Sequence, residues 1–208
     1  MPSTEEILAL AIAIAFAAGL NLSAVIMTLG LLSQAGLITL PAPIALVGEW
    51  WVIAASAALF VIESFADKVP AFDVIWNALM TFIRVPAGAV LAYAASDSLG
   101  PGAQITMAVA GGAATFAANG AKLALRSGAA ASPEPFSNIG LSLVDDVAAI
   151  GLTWFAVEHP YLAAAVVAVL LVVAAVLITW ILGAVRSLFR AASRQLAGGP
   201  VGPPHHLP

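Results

Sequence analysis

Three long runs of this chain contain no charged residue: Ile7 to Gly48, Ser98 to Ala121 and Tyr161 to Gly183. Roughly 20 apolar residues suffice for a helix to cross the hydrocarbon core of a bilayer, so each run has room for at least one crossing. Only 9% of the 208 residues are charged and 62% are apolar, against about 25% charged in an ordinary soluble domain. Mean hydropathy is +1.05. These features predict an all-α, polytopic membrane helix bundle of about six spans.

Other classes fall away quickly. The chain has no cysteine, which removes disulfides, thiolate metal sites and cysteine nucleophiles from consideration. A net charge of −4 and the lack of a basic aromatic surface give no nucleic-acid signal. The start, MPSTEEILAL, lacks a basic n-region and a cleavage pattern, so the first helix is expected to be retained. No phosphate-binding loop, zinc motif or Gly-x-Ser-x-Gly element is present. No enzyme and no cofactor is expected. His205 and His206 adjoin proline near the end of the chain and read as incidental; the sequence leaves open whether a metal is bound.

In chain order, a first helix is expected from Thr4 to about Ala35. Gly19-Leu20-Asn21-Leu22-Ser23 falls inside it, and Asn and Ser compete for backbone hydrogen bonds. The helix is either continuous and mildly kinked, the expected form, or broken near its middle. Pro41 and Pro43 mark a loop. A second helix follows from Glu49 to Asp67, ended by Pro70. From Ala71 to Arg84 the apolar period changes: Phe72, Ile75, Trp76, Leu79, Phe82 and Ile83 share a face, which suggests a cytoplasmic amphipathic helix lying in the interface. A third helix is expected to start at Pro86, a fourth to cover Ala103–Arg126, a fifth Asn138–Val157 and a sixth Tyr161–Arg190. Residues 1–190 form one transmembrane helical domain in this reading, and 191–208 a flexible cytoplasmic tail.

Six spans with both termini cytoplasmic would place Lys68, Arg84, Lys122, Arg126, Arg186, Arg190 and Arg194 on the inner side, as the positive-inside rule asks. Glu49, Asp97 and Glu158 would lie outside. Three spans in each half would make the halves antiparallel, the arrangement of a 3+3 inverted repeat.

The few charges concentrate the candidate chemistry. Glu63 and Asp67 stand four apart, on one helix face, with Lys68 adjoining. Paired carboxylates in a low-dielectric setting do not ionise freely, so they suit binding of a proton or a cation. Asp145 and Asp146 lie well inside the fifth helix, and Asn138, Ser142 and Asp145 share a face by their spacing. Those oxygens suit a hard cation or a proton. One of the two aspartates is expected to bridge to Lys122 or Arg126, leaving the other for function. Lys68, Arg84, Lys122 and Arg126 are candidates for charge tuning or for an anionic headgroup; Arg84 is expected to pair with Asp73 or to touch lipid phosphate.

At these residues the chain resembles a bacterial integral-membrane family known as domain of unknown function 4126. The likeness is carried by Glu63-Ser-Phe-Ala-Asp67-Lys68-Val-Pro70, Asp73, Arg84-Val-Pro86-Ala-Gly88-Ala, Ala121-Lys122, Arg126, Asn138, Ser142 and Val-Asp145-Asp146, across Gly19 to Trp154. Asn21 stands where many relatives are expected to have Arg. A weaker similarity links Glu63-Ser-Phe-Ala-Asp67-Lys68 to the Glu-x-Gly-Asp-Lys/Arg-Thr/Ser motif of cation–proton exchangers, with one extra residue between the acids. The resulting expectation is a small, multi-pass transporter of a bacterial inner membrane, a possible homo-oligomer, coupled to a cation or proton through intramembrane carboxylates. The alternatives are an anionic lipid-phosphate carrier or flippase, and a non-transporting membrane scaffold.

Overall fold

The computed structural model describes residues 3–66, 70–129 and 135–197, with positions 66, 70–75, 78, 127–129, 135–139, 185, 188–189, 191–192 and 194–197 described by their backbone only. Among the described residues the chain is all helical, with no strand. It forms α1 (Thr4–Leu20), α2 (Leu22–Gln34), a 3-10 turn over Ala42–Gly48, α3 (Trp50–Ala66), α4 (Pro70–Ala95), a short 3-10 turn over Asp97–Leu99, α5 (Pro101–Ala129), α6 (Pro135–Glu158) and α7 (Pro160–Ala197).

The expected first helix is two helices. Asn21 has φ −152° and ψ 104°, an extended backbone between them. Its N–H donates to Ala17 O, closing α1, while its side-chain oxygen accepts from the Ala24 N–H, opening α2. One residue thus serves as end cap and start cap, a role for which Asn is among the best side chains. The chain then turns back. Gly30 of α2 lies against Ile53 and Val47, and Ser23 against Glu63, so α2 and α3 run antiparallel. The segment after α2 returns to where α1 began: Leu37, Thr39 and Pro41 line one cavity of about 490 Å³ with Ile7 and Leu10 of α1 and Asp97 and Val157. The continuous or mildly kinked helix expected here is therefore a helical hairpin folded into the bundle from one end.

Three helices form the centre. α1 and α5 run parallel, with Ala11 and Ala15 packed among Ala92 and Met107 and Gly19 against Thr115 and Ala118. Small residues allow this close approach. A Cβ on Gly19 would lie 2.7 Å from Ala118 Cβ and nearer still to the Thr115 carbonyl oxygen. Thr115 Oγ1 donates to Ala15 O at 2.7 Å, stitching the two helices directly. α4 runs antiparallel to α5, with Gly88 against Thr115 and Ala92 against Gly111.

α4 corrects two expectations. The stretch 71–84 is no separate amphipathic helix, and no new helix starts at Pro86: one helix of 26 residues passes through the proline. Asn77, Met80, Arg84 and Gly88 on one side of it are all buried, and that continuous packing outweighs the hydrogen bond lost at Pro86.

The termini also depart from expectation. Ser3 Oγ lies 3.0 Å from Tyr161 Oη at the start of α7, and α7 then runs the length of the bundle, past Gly120 of α5 at Ile178, to Ala197. The start of α1 and the end of α7 are at opposite ends, not together. The hairpin enters and leaves by one end, and α3, with 17 residues like α1, brings Glu63 to Ser23 beside the hairpin tip. α5 is one continuous helix of 29 residues, with no break to match the one at Asn21. The helix of α7 also continues beyond Arg190 into the stretch expected to be a flexible tail; 198–208 lie outside the described residues.

Charge separates between the ends. Glu5, Glu6, Glu49, Asp97 and Glu158 fall at the end where α1 begins, and Arg186 and Arg190 near the other. The outer surface is apolar, with Phe82 80% and Trp180 75% exposed. By length and composition Gly140–Glu158 and Pro160–Ala184 are each able to cross a membrane, and a third crossing is added if α3 and the 3-10 turn bent from it by 68° count as one span.

Candidate functional site

The hairpin tip sits where the buried polar residues gather. From Asp146 to the end of α6 at Glu158 is about 18 Å of helix, so this level is deep within the bundle. At the tip, the Asn21 amide donates to Asp146 Oδ1 at 2.8 Å. Ser64 Oγ, from α3, donates to the other oxygen, Asp146 Oδ2, at 3.1 Å. Across the break, Lys122 Nζ donates to Leu20 O at 2.9 Å. That carbonyl belongs to the last turn of α1, where carbonyls lack helical partners and the helix dipole is negative. An ammonium is the fitting complement.

Asp145 and Asp146 are adjacent in sequence but face different partners. Asp145 Oδ2 lies 3.3 Å from Arg126 NH2 and 3.6 Å from Lys122 Nζ. Asp146 is held by the two neutral donors already named, and among the described residues no cation reaches it within ion-pair distance. Ser142, one turn before, is buried. Asn138 lies on α6 at a position described by backbone only.

A second group lies on α3 and α4. Glu63 and Arg84 form an ion pair in which both side chains are fully buried. Ser23 Oγ donates to Glu63 Oε2 at 3.1 Å. Arg84 NH1 donates to Asn119 Oδ1 at 2.9 Å and to Asn77 Oδ1 at 3.3 Å. Asn119 in turn donates to Thr81 Oγ1 at 2.8 Å. Arg84 is therefore an interior residue and not the headgroup contact expected; Asp73 is described by backbone only. Asp67 and Lys68, the other half of the first acidic motif, lie outside the described residues.

The structure brings together Glu63, Arg84, Lys122, Arg126, Asp145, Asp146 and Ser142. Three acids face three bases, so the formal charges of these described side chains cancel. Burying charge is tolerable on such terms and costly without them. Among the described residues there is no cluster of three or more His, Cys, Asp or Glu side chains that would hold a metal ion.

The model of a family described as a domain of unknown function (DUF4126) matches residues 8–180. The chain belongs to that family. The DUF4126 match runs from the first turns of α1 into α7 and so includes the hairpin and both charged groups. No curated protein and no solved structure matches this chain.

Within this DUF4126 chain, sequence reasoning left Asn21, Ser23, Ser64, Asn77 and Thr81 out of the site. Their signal was present: each is a polar residue in an otherwise apolar stretch. What the sequence could not supply was the partner, since Asn21 and Asp146 are separated by 125 positions.

Proposed function

We propose that this protein is a small secondary transporter of a bacterial cytoplasmic membrane, coupled to a cation or proton at the buried charged site. One observation carries the reading. Two half-helices end at Asn21, deep in an apolar bundle, with carboxylates and a lysine gathered at the break. Discontinuous helices that meet near the middle of a membrane are a recurrent way to build transport sites, because their free backbone groups and dipoles bind ions. A purely structural helix has little reason to expose those groups in its interior.

In this reading α3 to α7 cross the bilayer and the α1–α2 hairpin is re-entrant, entering from the outer face. The basic end of α7 is cytoplasmic under the positive-inside rule. The acidic end, with Glu5, Glu6, Glu49, Asp97 and Glu158, is outside, and so is the start of α1. Asp146, held by neutral donors, is the carboxylate whose charge an incoming cation or proton meets. The phosphate-carrier alternative has less support, because Arg84, Lys122 and Arg126 are buried against partners within the protein.

A non-transporting scaffold has one feature in its favour, the cancellation of charge within the network. Flux separates the two readings. In proteoliposomes, imposed gradients of Na⁺, K⁺ or Li⁺ are expected to move protons through the wild-type protein. Asp146→Asn is expected to abolish that movement with helix content and size-exclusion profile unchanged. A wild-type protein silent across this cation panel would favour the scaffold.

A further inference from the structure

The base of the hairpin encloses a cavity that the charged network does not touch. We infer that it is a binding site for a primary aliphatic ammonium, a protonated amine whose alkyl chain lies among leucines and isoleucines and whose charged head rests at Asp97. The inference does not depend on the transport reading above.

The cavity opens where the start of α1, the end of α6 and the turn after α4 come together. Its volume is about 490 Å³. Small-molecule sites span about 300–1,000 Å³, whereas a packed interior leaves few voids larger than a water molecule. Ile7, Val157, Asp97 and Ser98 stand at its mouth, and the buried Ile14, Leu29 and Leu91 at its floor. From Ile7 to Ile14 is about 10 Å of helix, so the hollow runs inward along α1 and admits an alkyl chain lengthwise. The segment after α2 closes the remaining side with Leu37, Ile38, Leu40 and Ile44.

The lining decides the chemical class of the occupant. Every lining side chain is aliphatic except Thr39, Asp97 and Ser98. Without an aromatic ring there is no cage to hold a quaternary ammonium by its cation–π attraction. The mouth offers hydrogen-bond acceptors instead, a carboxylate and two hydroxyls, and a primary ammonium brings three N–H donors to meet them. Asp97 Oδ1 accepts from Gln104 Nε2 at 3.0 Å, which fixes the turn against α5. Among the described residues no cation pairs with Asp97, and its side chain is exposed.

Charge at this end of the bundle points the same way. Glu5, Glu6, Glu49 and Glu158 lie there with Asp97, and among the described residues no lysine or arginine does. Such a one-signed surface draws cations toward an apolar hollow and repels carboxylates and phosphates. The complementary amphiphile is therefore an amine and not a fatty acid.

The test uses the full chain in phosphatidylcholine nanodiscs, titrated calorimetrically with octylamine near neutral pH, with empty nanodiscs as the blank. Saturable binding of one octylammonium per chain is expected. Stepwise lengthening from butylamine should tighten it roughly threefold per methylene. Octyltrimethylammonium, which has no N–H, is expected to bind about tenfold more weakly, and octanoate not at all. Asp97→Asn keeps an oxygen for Gln104 and removes the charge, so it should melt like wild type and bind octylamine about tenfold more weakly. Ala95→Leu adds carbons at a lining position and is expected to block octylamine. Unchanged affinity in Asp97→Asn, or octanoate binding as tightly as octylamine, would overturn the ammonium assignment and make the hollow a groove for a lipid acyl chain. No saturable binding above empty nanodiscs would overturn the site itself. Neither readout involves flux, so failure here leaves the transport reading standing, and silence in the flux assay leaves this site standing.

Discussion

Two charged groups lie near each other in this bundle, and they are built differently. Glu63 and Arg84 are fully buried, paired with each other, and ringed by Ser23, Asn77 and Asn119. Both sit on the unbroken helices α3 and α4. Lys122, Asp145, Arg126 and Asp146 surround an interruption in the backbone, with Asp145 Oδ2 3.3 Å from Arg126 and 3.6 Å from Lys122. In the first group each charge faces a fully buried partner of opposite sign on a continuous helix. The second group contains a lysine on a helix carbonyl and an aspartate held by neutral donors. Burial alone does not distinguish the two groups; the state of the backbone beside them does.

The sharpest way to break this contrast is to strand one member of the fixed pair. Arg84→Met leaves Glu63 buried without its counter-charge, and a loss of about 3–5 kcal/mol is expected. The double variant Glu63→Gln/Arg84→Met removes both charges and is expected to recover most of that loss. Thermal or urea unfolding in detergent reads both. Equal destabilisation in the single and double variants would mean that the pair is not coupled as described.

Next in size is the packing that holds the hairpin tip beside α5. Gly19→Ala forces a methyl into the Thr115 carbonyl and Ala118. Backbone on one side cannot yield cheaply, so a loss of about 1–3 kcal/mol is expected. Gly102→Ala is the control: nothing lies within 4 Å of a Cβ there, and no loss is expected. Similar melting temperatures for the two variants would show that the tip is not held by this contact.

These residues also show what the sequence could reveal. Charge is so scarce in the chain that Glu63, Arg84, Lys122, Arg126, Asp145 and Asp146 stand out unaided, and the structure brings all six to one region. The reversal at Asn21 was hidden because both half-helices are apolar. Hydropathy reports what surrounds a helix and not where it points. Pro86 misled in the opposite direction. As a local signal it marks a helix start, but the face formed by Asn77, Met80 and Arg84 packs continuously across it, and that tertiary term is invisible in a single chain. The positive-inside argument drew on Arg84, Lys122 and Arg126, which the fold buries as interior groups.

A smaller effect probes the tip itself. Asn21→Ala removes the start cap of α2 and the donor to Asp146 together. The cap contributes roughly 1 kcal/mol, and a loss of about 1–2 kcal/mol is expected once the hydrogen bond is included. Hydrogen exchange should rise first at the amides of Ser23 and Ala24, which open α2. Faster exchange at the Glu63–Arg84 pair instead would mean that the two groups are one structural unit and the contrast drawn between them is false.

The smallest stability effect is expected where the functional effect is largest. In Asp146→Asn the retained oxygen accepts from Asn21, and the new amide nitrogen faces Ser64, whose hydroxyl can rotate to accept. Both hydrogen bonds survive, so the unfolding midpoint should shift by no more than about 1 kcal/mol. Asp145→Asn has no such escape. Its carboxylate is the counter-charge that both Arg126 and Lys122 face, so neutralising it leaves two buried cations opposite a neutral amide, and it should unfold more readily than Asp146→Asn. Two neighbouring aspartates replaced by the same residue thus separate the roles: one change loosens the fold, and the other leaves it intact while proton movement stops. If Asp146→Asn is instead the less stable of the two, Asp146 is the structural member of the pair, and the exchangeable charge must be sought on Asp145 beside Lys122.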